Sequence, residues 1–179
     1  MVQQHNIGKE HSSEKEHSTG KEHSLGKEHS SGKISGTGNG KIAIVLVRGK
    51  IGLTVPSKDT LTMLNLIRKN NCVVVDDTPL IRGMLQKVKD YITWGDLTEE
   101  IFQTLVEKRG KVYEARLTDR NEAYQYNYRT IQGKHYKNYF ALNPPRKGFG
   151  RKGIKIAFRA GGALGDRKEK INDLILRMV

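Results

Sequence analysis

Apolar positions are unevenly spread along the chain. Lys41–Arg48 (KIAIVLVR) is a near-continuous β-branched run and predicts a buried strand. Two glycines and two cations in Arg48-Gly49-Lys50-Ile51-Gly52 break it. Asp59 reads as the cap of a helix running to about Asn70, with Leu61, Leu64 and Ile67 as its stripe and Met63 and Leu66 widening it. Cys72–Val75 predicts a second strand. Asp77-Thr78-Pro79 is a strong helix start, with Thr78 as N-cap, Pro79 at the first position and Ile81, Met84, Leu85 and Val88 on the buried face. Gly83 inside that helix costs about 1 kcal/mol against alanine, which points to close packing or to a partner approaching the backbone. Tyr91–Trp94 predicts a third strand.

Strand–helix–strand–helix–strand predicts an α+β fold, with two helices on one face of a small sheet. A further helix follows, capped by Thr98, with Glu99 and Glu100 in its first turn, Lys108 and Arg109 in its last, and Gly110 at its end. The pattern then weakens. Tyr113–Leu117 and Tyr139–Leu142 read as short strands, residues 119–137 as polar and tyrosine-rich, and Glu169–Met178 as a closing helix. The expected division is a low-complexity tail over 1–40, a core over 41–96 and an extension over 97–179.

Residues 8–31 repeat the pattern GKEHSS with small variations. Leu25 is the only large apolar side chain in them, so the repeat buries too little surface to offset its ordering entropy and reads as disordered. Five histidines recur at six-residue spacing: His5, His11, His17, His23 and His29. Extended chain separates neighbours by about 20 Å, and a helix turns them to different faces, so the spacing does not favour local metal chelation.

Charge sharpens the picture. The 179 residues carry a net +13, yet residues 1–40 are neutral, with five lysines against five glutamates. Residues 111–179 hold 16 basic and six acidic residues, net +10, and from Ala123 to Gly165 there is no acidic residue. One sign sustained over that length exceeds what solubility requires and points to a polyanion, nucleic acid first. No apolar run approaches the ~18 residues of a membrane span, the polar N-terminus does not resemble a signal peptide, and a lone cysteine, Cys72, excludes a disulfide framework. The expected class is a soluble, cytoplasmic, basic protein.

The loop NPPRKGFGRKGIK (Asn143–Lys155) is the most informative segment. Its prolines stiffen it, its glycines allow close backbone approach, and Arg146, Lys147, Arg151, Lys152 and Lys155 can neutralise phosphates. Phe149 is a candidate for stacking on a base, as are Tyr126 and Tyr128. Gly161-Gly162-Ala163-Leu164-Gly165 resembles a phosphate cradle, but no G-K-[ST] accompanies it, and a plain turn is the simpler reading. His135 has no evident nucleophile or carboxylate partner, Asp77 reads as a turn residue, and Cys72 as an inert core thiol. No catalytic set, metal site or cofactor site emerges.

The segments D77-T-P-L-I-R-G-M84, Q86-K-V-K-D-Y91, N143-P-P-R-K-G148 and G161-G-A-L-G-D-R167 with E169-K-I-N-D-L174, in this order, resemble the large-subunit ribosomal protein family numbered thirty, in its long archaeal form. The resemblance runs from about Lys41 to the C-terminus. It implies a ferredoxin-like β-α-β-α-β core and a structural, non-catalytic role, with rRNA and neighbouring large-subunit proteins as partners and no homo-oligomer. The rRNA contacts it implies fall on Arg48, Lys50, Arg82 and Lys87 in the core and on Arg146, Lys147, Arg151, Lys152 and Arg167 in the extension. Lys155 and Arg159 join them from the charge pattern, and Phe149 as a stacking candidate in the basic loop. The interval from Leu117-Thr118-Asp119 to Phe140 is shorter than the long form's usual helical insert, and the histidine repeat is no recognised family feature. Two other readings stay open: an RNA-binding assembly factor, and a phosphate-binding enzyme on the same fold.

Overall fold

The computed structural model describes residues 40–179, apart from Glu122 and Gln125. The repeat tail, read above as disordered, lies outside the described residues. The central strand β1 (Lys41–Leu46) runs antiparallel to both of its neighbours, β2 (Asn71–Asp76) and β3 (Ile92–Leu97). The run KIAIVL is uniformly apolar because both faces of the sheet are covered. Ile42, Ile44 and Leu46 face one apolar layer, and Ala43 and Val45 face the other.

The first layer is supplied by α1 (Val55–Met63) and α2 (Pro79–Val88), through Leu61, Leu64, Leu85 and Val88. β2 and β3 flank β1 and run parallel to each other, so α2 is the crossover of a split β-α-β unit. This is the expected ferredoxin-like arrangement. The second layer comes from α3 (Glu99–Arg109) and α4 (Ile171–Leu176), through Phe102, Leu105, Ile171, Leu174 and Ile175. Residues beyond 97 therefore complete the sheet as well as extend it. After the hairpin strands β4 (Tyr128–Ile131) and β5 (Lys134–Lys137), β6 (Phe140–Ala141) pairs with β2, and β7 (Gly165–Asp166) pairs with β3. The β3–β7 pairing is parallel, so the sheet is mixed rather than wholly antiparallel.

Several local expectations shift. α1 begins after Thr54, with Pro56 in its first turn, and ends at Met63, so Asp59 lies inside the helix instead of capping it. The stop is a Schellman motif. Asn65 takes φ +57°, its N–H donates to the Thr62 carbonyl, and the Leu66 N–H donates to the Leu61 carbonyl at 2.8 Å. Met63 and Ile67 are consequently exposed, while Leu66 turns inward against the core. Tyr113–Leu117 is not a strand; it is flanked by isolated bridge residues, Val112, which pairs with Tyr136, and Thr118. The tyrosine-rich interval instead contains the β4–β5 hairpin, turned at Gln132 (φ +49°) and Gly133 (φ +75°), the two consecutive positive φ values of a tight hairpin turn. Thr78 caps α2 as expected, its Oγ1 accepting from the Ile81 N–H at 3.2 Å.

Candidate nucleic-acid interface

The basic segment 143–167 forms a tongue folded back on itself and tied to the end of the chain. The Asn143 and Arg146 N–H groups donate to the Met178 and Arg177 carbonyls. Within the tongue, Lys152 N–H bonds the Gly161 carbonyl, Phe158 N–H the Leu164 carbonyl, and Ala163 N–H the Ile156 carbonyl. The Gly161–Gly165 turn serves this packing: Gly162 is buried, and a Cβ there would run into the Ile156 carbonyl oxygen. The turn reading of that motif holds, with close packing as the reason for its second glycine.

Two arginines fasten the tongue from beneath. Arg167, read above as an rRNA contact, is only 5 % exposed. Its Nε donates to Thr93 Oγ1 at 2.9 Å, its Nη2 donates to the Phe149 and Ala163 carbonyls at 2.8 and 3.1 Å, and its guanidinium lies 4.5 Å from the Phe158 ring centre. It holds the loop and has little surface left for a ligand. Burial, with the charge of Arg177 added, pushes its pKa down to about 10. Arg177 Nη1 donates to the Arg146 and Gly148 carbonyls at 3.2 and 3.1 Å. Phe149 also departs from expectation. It packs against Val47, Ala163 and Leu164, so its ring anchors the tongue rather than standing free for a base.

The remaining tongue cations, Arg146, Lys147, Arg151, Lys152, Lys155 and Arg159, are exposed. Beside them a depression of about 510 Å³ is lined by Lys147, Arg151, Arg167, Lys170 and Arg177, with Asp173 as the one carboxylate. Lys170 and Arg177 were not singled out from the sequence. The basic end of the final helix carried the signal, but only the fold brings it against the loop. Exposed cations over a backbone held by two arginines make a surface with the chemistry to accept phosphate oxygens.

The core residues are more dispersed. Arg48 lies 4.8 Å from the Tyr91 ring centre and donates to the Asp90 carbonyl at 3.1 Å, Lys50 reaches Thr62, and Lys87 is exposed. Arg82 is engaged by Asp77 through two hydrogen bonds, which hold the Asp77 carboxyl below its ordinary pKa and raise that of Arg82. Tyr128 is partly buried and stacked with Tyr113, whereas Tyr124 and Tyr126 form an exposed edge-to-face pair. Tyr124 was missed in the sequence, because a polar interval gives no period from which to read exposure. His135 sits on the hairpin beside Thr130 and Tyr128. Burial pushes the Cys72 thiol up to about 12, as an inert core thiol requires. Among the described residues no helix is long and apolar enough to cross a membrane.

The model of the family "Ribosomal protein L30p/L7e" matches residues 42–92, the stretch that builds β1 through most of the split β-α-β unit. The large ribosomal subunit protein uL30 of Methanosphaera stadtmanae is 42% identical over 152 residues, covering 76% of this chain and 99% of the relative. The chain belongs to the uL30 family. The uL30 protein of Nanoarchaeum equitans is 40% identical over 151 residues, and that of Methanopyrus kandleri 39% over 149, covering 97% and 100% of those relatives. uL30 proteins are structural constituents of the large ribosomal subunit, a family not known to be enzymatic. The matched lengths leave about a quarter of this chain outside the alignments.

Proposed function

We propose that this uL30 protein binds rRNA in the large subunit as one copy beside neighbouring ribosomal proteins, and that the tongue is its principal contact. The observation carrying this reading is the acid-free stretch from Ala123 to Gly165, whose exposed cations ride on a backbone already satisfied by Arg167 and Arg177. Arg146, Lys147, Arg151, Lys152, Lys155 and Arg159 neutralise phosphates where RNA strands crowd together. Arg48, Lys50 and Lys87 add contacts from the core, and Tyr124 and Tyr126 offer faces to unpaired bases. Arg82 contributes together with its counter-ion Asp77, and Arg167 and Phe149 contribute by shaping the tongue.

Replacing Arg146, Lys147, Arg151 and Lys152 together by alanine tests the reading. The slope of log affinity for large-subunit rRNA against log salt is expected to fall in magnitude by about 3, at ~0.7 per lost phosphate contact on single strands. An unchanged slope would move the binding surface elsewhere.

A further inference from the structure

α2 contains a glycine that the fold does not use. Elsewhere, Gly40 and Gly49 lie outside any helix or strand and a Cβ there would meet nothing, but the other described glycines have evident reasons. Gly95, Gly110, Gly150 and Gly162 sit where a Cβ would strike a neighbouring carbonyl oxygen, and six others have positive φ. Gly83 has neither reason. It lies in the middle of α2, and a Cβ built on it would meet nothing within 4 Å. Alanine would favour the helix at no steric cost to this chain, so what benefits from the bare backbone lies outside it.

The residues three and four positions away share its face of the helix. They are Pro79, Leu80, Gln86 and Lys87, and all are exposed, Leu80 by 74 %. α2 carries Arg82 and Lys87 and no carboxylate. Its Arg82–Gln86 edge also lines a groove of about 430 Å³ shared with Arg159 and Lys168 and with the carboxylates Asp96 and Asp166, at the near end of the tongue surface. Asp77, Asp96 and Asp166 offset part of that charge, but the cations Arg82, Lys87, Arg159 and Lys168 outnumber them, and the groove is continuous with the tongue surface; together these favour RNA over an apolar protein face.

We infer that the Gly83 stripe of α2 is a close main-chain contact for the sugar–phosphate backbone of rRNA, which reaches it from the tongue across the Arg82–Arg159 groove. The missing side chain lets a ribose or phosphate press against the helix backbone, with Leu80 covering the sugar and Lys87 meeting the next phosphate. This contact rests on the rRNA-binding reading above.

The test is Gly83→Ala in the full chain, measured with purified archaeal large-subunit rRNA. The free variant is expected to melt about 3 °C higher, because the helix gains propensity. Its rRNA affinity is expected to fall at least tenfold, with an unchanged salt slope because no charge is removed. Equal affinity for variant and wild type would overturn the contact while leaving rRNA binding intact. Equal affinity with failed incorporation into large subunits would assign the stripe to a protein instead, and would overturn it too. A variant that melts lower would make Gly83 structural. Wild-type protein that does not bind rRNA would remove the underlying reading, and this contact with it.

Discussion

The sheet and the tongue are held together by different means. β1 is buried on both faces among aliphatic side chains from four helices, and its stability comes from apolar area removed from water. The tongue contributes few large side chains to the core. Its backbone is held by its own N–H···O=C bonds and by two guanidinium groups that donate to four of its carbonyls. An apolar core can stabilise a segment only by burying its side chains. Carbonyl-directed arginines stabilise a segment through its main chain and leave its lysines and arginines outside, where a polyanion can reach them. The acid-lined face of the molecule reinforces the contrast. The depression between α3 and the β4–β5 hairpin is bordered by Asp76, Glu99 and Glu107 against Lys41 and Arg129, with Lys41 ion-paired to Glu99 at 2.9 Å, so acids outnumber cations there.

Substitutions that act on one region and spare the other test this contrast. The largest effect is expected in the sheet: Ile44→Ala, at a fully buried position, should cost about 3 kcal/mol in urea unfolding and leave the rRNA affinity of the folded fraction unchanged. Next comes Arg167→Met, which leaves the Phe149 and Ala163 carbonyls short of a donor and should cost about 2 kcal/mol. Hydrogen exchange should then rise in residues 146–165 before it rises in β1. Uniform loss of protection across both regions would show that the tongue is not separately fastened. The smallest effect concerns Asp77. Its carboxyl pKa is lowered in the folded state by Arg82, so the stability it adds is present above the ordinary carboxylate pKa and disappears as pH falls through the lowered folded value. Thermal melts of Asp77→Asn should match wild type in their slope with pH near neutrality and lose part of the acid-side decline below about pH 4. An identical acid decline in both would remove the ion pair as its source.

Much of this architecture was legible in the chain. The three core strands, the Thr78–Pro79 start of α2, the Thr98 start of α3 and the final amphipathic helix each follow from a pattern confined to one or two turns of chain, and so did the basic loop. α1 was misplaced at both ends because Thr54-Val55-Pro56 and the left-handed Asn65 are weaker signals than the apolar stripe that runs past them. The hairpin was hidden because its strands lie outside the main sheet and carry no clean alternation, leaving Gly133 as the single cue.

By itself the sequence determined the order of elements, the α+β class and the half of the chain that carries the charge. These depend on periodicity, capping and composition, which act locally or sum over residues regardless of position. Only the tertiary structure decided which cations are free to meet RNA. Arg167 and Arg151 read alike in the chain, but Arg167 reaches a hydroxyl 74 positions away and a carbonyl 18 away and is buried with them. A side chain's access to solvent is fixed by what packs over it, and here that covering comes from distant parts of the chain.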